Sequence, residues 1–164
     1  MIAARRAAAR RTAAALIAAL ANASGAVPAR ADPVDTADIS ATDADYAAGR
    51  KAIDARDWTV AAQRFEQAER RHPDNADLQN YLGYAYRNLG KYDAALAHYK
   101  RALALDPRHR GAHEYIGETY LIIGDLPAAE RHLAALREIC LLPCEEQDDL
   151  QKAIAAWRTK QGPR

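Results

Sequence analysis

Little in this sequence is suited to a β-sheet, a nucleic-acid interface or a chemical centre. Phe65 is the only phenylalanine and β-branched runs are absent, while alanine, leucine, arginine and glutamate are plentiful, so the 164 residues read as all-helical. Neither sign of charge dominates: the formal net charge is +1, and acids and bases alternate along the helical patterns. That argues against nucleic acid, which calls for a basic face with interleaved aromatics, and against a strongly anionic membrane surface. No nucleophile elbow, phosphate-binding glycine loop or framed carboxylate pair occurs. His109 and His113 have a spacing of four that suits a metal, but Glu114 falls on another face and no third histidine is near. His72, His98 and His132 are scattered on polar faces and read as surface residues. The expectation is no catalytic residue, no metal and no cofactor.

No acid appears before Asp32 either. Arg5, Arg6, Arg10 and Arg11 form a positive leader, an uncharged apolar run extends from Thr12 to Ala23, and small residues and Pro28 close it. Charge, apolar core and small-residue exit in that order predict a secretory signal peptide over residues 1–31. Cleavage fits after Ala23 or after Ala31. The apolar run is shorter than the ~20 residues a bilayer span needs. Alternative readings are an organellar presequence, a plain disordered tail, or a twin-arginine signal at Arg10-Arg11. No cysteine lies near either exit, so no lipid anchor is expected and the mature chain should be soluble, periplasmic or secreted, without stable membrane insertion. Residues 32–42 carry no helical stripe and read as a flexible lead-in, with Thr42 as the N-cap of the first helix.

Beyond Thr42 the sequence repeats itself. Residues 76–109, ADLQNYLGYAYRNLGKYDAALAHYKRALALDPRH, return when the sequence is shifted by 34 positions either way. Gly83 falls on Gly49 and Gly117, Ala95 on Ala61 and Ala129, and Tyr99 on Phe65 and Leu133. Pro107 falls on Pro73, whereas the third copy has Leu141 there and Pro143 two residues on. Each copy holds two amphipathic stripes at spacings of three and four. In the first copy these are Ala48, Gly49, Ala52 and Ala55, then Trp58, Ala61, Ala62, Phe65 and Ala68. Leu82, Gly83, Tyr86 and Leu89, then Tyr92, Ala95, Leu96, Tyr99 and Ala102 form the second. The third has Ile116, Gly117, Tyr120 and Ile123, then Leu126, Ala129, Leu133 and Leu136. Glycine and alanine permit a close helix crossing and the large neighbours fill the space beside it. Gly90-Lys91 and Gly124-Asp125 supply the turns, glycine being suited to a left-handed cap.

This register resembles the tetratricopeptide repeat family, with units at 42–75, 76–109 and 110–143. The resemblance implies a right-handed α-solenoid and a non-enzymatic protein-interaction module. The tryptophan often found early in such units is here Asp45, Gln79 and His113. The leucines of the third unit suit a last repeat packed on something other than another repeat. That something is the amphipathic stretch 144–160, striped by Leu150, Ile154 and Trp157, with Glu145, Glu146, Asp148 and Asp149 at its dipole-favoured start. It reads as the capping helix a solenoid needs. Cys140 and Cys144 flank the helix-breaking Pro143, and in an oxidising compartment a disulfide would pin the cap to the last repeat. Free core thiols, or redox or metal chemistry at the pair, are the alternatives.

The resemblance also places a binding groove along the first helix of each pair, which takes an extended or helical peptide. Here its exposed side would carry Tyr46, Arg50, Asn80, Tyr84, Arg87, Glu114, Glu118 and Leu121, with Arg50, Tyr84 and Arg87 foremost because tyrosine and arginine are enriched at hot spots. Tyr46 and Gly111 stand where some relatives have the lysines of a carboxylate clamp, so binding of a chaperone's C-terminal tail is not expected. The expected partner is a protein or peptide; a self-associating scaffold working through the solenoid ends is the rival.

Overall fold

In the computed structural model, residue 39 and residues 41–162 are described. The proposed signal peptide, both cleavage sites and lead-in residues 32–38 lie outside them. Seven helices occur in order among the described residues: α1 (Ala44–Asp54), α2 (Trp58–Glu69), α3 (Ala76–Asn88), α4 (Tyr92–Leu105), α5 (Arg110–Ile123), α6 (Leu126–Ile139) and α7 (Glu145–Gln161). They form an all-α helical-repeat solenoid. Pairs α1·α2, α3·α4 and α5·α6 pack as hairpins, each hairpin joins the next through α2·α3 and α4·α5, and α7 closes the end on α5 and α6. No described helix is long and apolar enough to cross a membrane.

Local chemistry explains the boundaries. The carboxylates of Asp57 and Asp125 accept from the backbone N–H three residues on, as does the Asn75 side chain. Asp43, not Thr42, caps α1, and its carboxylate also accepts from Arg71 at 2.8 and 2.9 Å. Those bonds, against the opposing effect of burial, hold the Asp43 carboxyl far below the usual range and tie the start of the first hairpin to its end. Turning from the first helix to the second puts one residue of each hairpin in the left-handed region. Gly90 (φ 73°) and Gly124 (φ 88°) occupy it in the second and third hairpins, but in the first it is Arg56 (φ 57°).

The small-residue register has a geometric cause. A Cβ on Gly49 would meet the Phe65 ring at 2.6 Å, and one on Gly83 the Tyr99 ring at 2.5 Å. In the third unit the aromatic gives way to Leu133, and the slot is filled from elsewhere: a Cβ on Gly117 would meet Leu150 of α7 at 2.6 Å. The cap therefore replaces the missing ring. The Trp157 indole N–H donates to the Leu121 carbonyl at 2.9 Å, so α7 runs along α5 from Glu146 beside Arg110 to Trp157 beside Leu121. This seat buries Leu121, which the sequence put on the exposed side, while Ile123 at the end of α5 is exposed, as is Ala55. Ile39, inside the stretch read as a flexible lead-in, is buried in the first core cluster with Tyr46 and Phe65.

A second period lies in the polar residues. Asp45, Gln79 and His113 are equivalent, as are Arg64, His98 and His132, and each pair meets across its hairpin. Arg64 donates to Asp45 at 3.0 Å, His98 Nδ1 lies 2.8 Å from Gln79 Oε1, and His132 Nδ1 lies 3.0 Å from His113 Nδ1. Gln79 and His113 also donate to the carbonyls of Pro73 and Pro107, six residues earlier in each case. With His113 Nε2–H given to that carbonyl, its Nδ1 accepts from His132. Burial lowers the pKa of His98, His113 and His132, the last to about 4. These are inter-helix struts rather than surface histidines. Cys140 and Cys144 lie at disulfide bonding distance, 2.06 Å between sulfurs, across the link from α6 to α7.

Candidate functional site

Helices α1, α3 and α5 share a face on which side chains 34 residues apart fall in rows. The structure brings most of the expected groove residues together there, with very different freedom. Arg50 is exposed, its guanidinium 4.5 Å from the centre of the Tyr81 ring. Tyr84 is half-buried between Trp58 at 5.7 Å and Tyr115 at 5.0 Å. Arg87 lies 5.2 Å from both Tyr84 and Tyr115 and is ion-paired to Glu118. Only 14% of the Arg87 side chain reaches solvent, so it braces α3 against α5 and has little left to offer a partner.

Besides Leu121, two more expected groove residues are buried. Tyr46 is 4% exposed because its ring packs edge-on against Phe65 and Tyr81, in the core cluster that also takes Ile39. Asn80 is 5% exposed, and among the described residues its Oδ1 has no hydrogen-bond partner. The Tyr99 hydroxyl, wholly buried, likewise has no partner among them.

Sequence reasoning missed Tyr81 and Tyr115, which provide most of the aromatic surface here, although their own 34-residue spacing signals them. It also missed the contribution of α7. Where α3, α5 and the start of α7 converge, a polar cleft of about 570 Å³ opens, and Asn80, Glu114 and Tyr115 line it together with Glu145 and Glu146. Glu114 is pushed up to about 8, by burial first and then by Glu118, Asp149 and Glu146, an effect that Arg87 only partly offsets. At neutral pH this carboxyl is mostly protonated and can donate a hydrogen bond. At the other end of α7 a more apolar hollow of about 460 Å³ lies among Leu121, Ile122, Ala153 and Trp157.

His109 and His113, spaced for a metal, face different partners. His109 Nδ1 accepts from the Ala112 N–H and its Nε2 lies 3.1 Å from Asp77, whereas both His113 nitrogens are engaged in its strut. Among the described residues no group of three or more histidine, cysteine, aspartate or glutamate side chains is placed to hold a metal ion.

Comparison with known proteins bears on the fold. The chaperone SycD, for the type III secretion translocator of Yersinia enterocolitica, superposes with a TM-score of 0.65 at 19% identity, over 73% of this chain and 84% of its own. The TPR2B domain of yeast Sti1, in a complex with pHsp70, gives 0.64 at 19% identity over 70% and 95%. The first TPR of Spaghetti (RPAP3), bound to the HSP90 peptide SRMEEVD, gives 0.59 at 21% identity over 66% and 86%. No curated protein matches by sequence. A tetratricopeptide repeat family model matches residues 46–107 and again 82–140. With more than half of the sequence inside those matches and the same hairpins in the fold, the chain belongs to the tetratricopeptide repeat family.

Proposed function

We propose that this chain is a non-enzymatic protein-interaction module of the cell envelope, exported by its leader, which binds a peptide or protein segment along the face of α1, α3 and α5. The observation that carries this reading is the row of half-exposed aromatics, Tyr81, Tyr84 and Tyr115, with the exposed guanidinium of Arg50 beside it. Rigid aromatic side chains offer large contact area at small entropic cost, and arginine adds directional donors. One solved neighbour holds an HSP90 peptide and another is in a complex with pHsp70, which supports a peptide mode of binding. The basic leader and the Cys140–Cys144 link suit an oxidising compartment.

Photo-crosslinking in cells from position 50 or 84, with exposed Lys100 on α4 as control, tests this reading. A protein captured from positions 50 and 84 and not from 100 is the expected result; equal capture from all three, or from none, refutes it. A self-associating scaffold is the second reading, favoured by Leu141 and Leu142, which stand 93% and 79% exposed beside the cap. Concentration-dependent sedimentation lost on changing both leucines to serine is its signature.

A further inference from the structure

The cleft at the junction of α3, α5 and α7 is unbalanced in charge. Asp77 comes from α3, Glu114 from α5, and Glu145, Glu146 and Asp149 from the first turns of α7. Part of this charge is answered locally: Arg110 lies 3.5 Å from Glu146, Lys152 lies 3.0 Å from Asp149, and His109 faces Asp77. Asp106 and Arg108 also line the cleft, and Arg108 donates to the Ile139 carbonyl at 3.2 Å, so acids still outnumber bases there. Among the described residues no ion pair reaches Glu114 or Glu145.

Acidic side chains alone would be an ordinary solvated surface. The second observation is Asn80. Its amide head is set against α5, with Nδ2 3.3 Å from where a Cβ on Gly111 would sit, and it lines the same cleft. The residue is 5% exposed, and among the described residues its buried Oδ1 has no donor. A buried acceptor left without a donor is costly, and nearly all such groups in folded proteins find one. A hydrogen-bond donor reaching Asn80 through the cleft it lines would satisfy this acceptor, and the surrounding carboxylates favour a donor that carries positive charge.

We propose that this cleft receives a lysine or arginine side chain of the partner peptide, the head group donating to Asn80 Oδ1 while the carboxylates of α5 and α7 neutralise it. The inference rests on the peptide-binding reading and gives the ligand a chemistry: a basic segment, not an acidic tail. The raised Glu114 carboxyl fits this arrangement, because an arriving cation supplies the positive charge whose lack keeps it protonated. Binding at neutral pH then releases a proton from Glu114.

The test is selection of a random-sequence peptide library on the full chain, followed by titration of the enriched peptides. Enriched peptides should carry lysine or arginine, and changing that residue to alanine should weaken binding about tenfold or more. Glu145→Gln, at the exposed start of α7, should weaken binding severalfold at low salt and little at high salt. Calorimetry in two buffers of different ionisation enthalpy should show proton release at neutral pH that Glu114→Gln abolishes. Asn80→Ala should lose affinity as well; if it unfolds, the Glu145 and Glu114 variants still decide. Acidic or uncharged peptides enriched at the same face would overturn this inference and leave the peptide groove standing. Enrichment of no peptide would overturn both. A cross-link from the cleft to the chain's own Arg5–Arg11 stretch, or to a second copy, would overturn the separate partner.

Discussion

Gly117→Ala, made with and without Leu150→Ala, tests whether α7 is seated as described. In the native chain the new methyl would lie 2.6 and 2.7 Å from the two Leu150 Cδ atoms and 3.2 Å from its Cγ, so no single rotation of the leucine makes room. Leu150 is wholly buried and cannot swing into solvent. Overpacking of this kind costs about 1–3 kcal/mol. Replacing a mid-helix glycine by alanine returns about 1 kcal/mol. Gly117→Ala alone should therefore destabilise the protein by about 1 kcal/mol or somewhat more, and Leu150→Ala alone by about 2–5 kcal/mol through its cavity. In the Leu150→Ala background the methyl meets open space and only the helix term remains, so the second change should stabilise by about 1 kcal/mol. The coupling is about 2 kcal/mol, measurable by urea unfolding of the four proteins. Gly83→Ala, whose methyl would meet Tyr99 in another unit, should add to Leu150→Ala without coupling. Additivity of Gly117→Ala and Leu150→Ala within about 0.5 kcal/mol would mean that the cap does not occupy this slot.

Arg56→Gly should stabilise by about 0.5–1 kcal/mol in the same assay, since it relieves a left-handed backbone strain that the second and third hairpins avoid with glycine; an unchanged midpoint refutes this. His132 is lowered to about 4 from an ordinary 6.5, so the unfolded chain takes up its proton first. Stability should fall as pH drops through that window, and His132→Gln should flatten that limb. Glu114 has the opposite sign: raised to about 8 from an ordinary 4.5, it should make stability decline as pH rises between those values, a decline absent in Glu114→Gln. Changing both Cys140 and Cys144 to serine should cost about 2 kcal/mol, because the link closes a short loop. Reductant should reproduce that loss in the native chain and leave the double variant unmoved.

The 34-residue register made the hairpins and the glycine slots legible, because each is a local demand repeated in place, and the stripe of Leu150, Ile154 and Trp157 made the cap legible. The sequence does not reveal where α7 lies, since helices with the stripe of Leu150, Ile154 and Trp157 can dock in many ways. That one unknown misplaced Leu121 and hid the acidic cleft, whose charge comes from three sequence-distant segments. Tyr46 failed for a related reason: Ile39, upstream of the first helix, joins the cluster that covers it. Reading only apolar residues in register also left the histidines looking scattered, although His98 and His132 stand 34 apart and oppose Gln79 and His113.

The leucine that fills the slot of Gly117 limits how this array can lengthen. The first two units are self-sufficient at that slot, each closed by its own ring, so a further copy of either could be inserted ahead of residue 110 with its crossing intact. The third unit is completed from outside by a helix that is not a repeat. A duplication placed after it would separate Gly117 from Leu150 and leave the third unit with only Leu133 in place of a ring. The array can grow at its middle and is terminated at this end, and a library of longer binding faces built from this chain should be extended there.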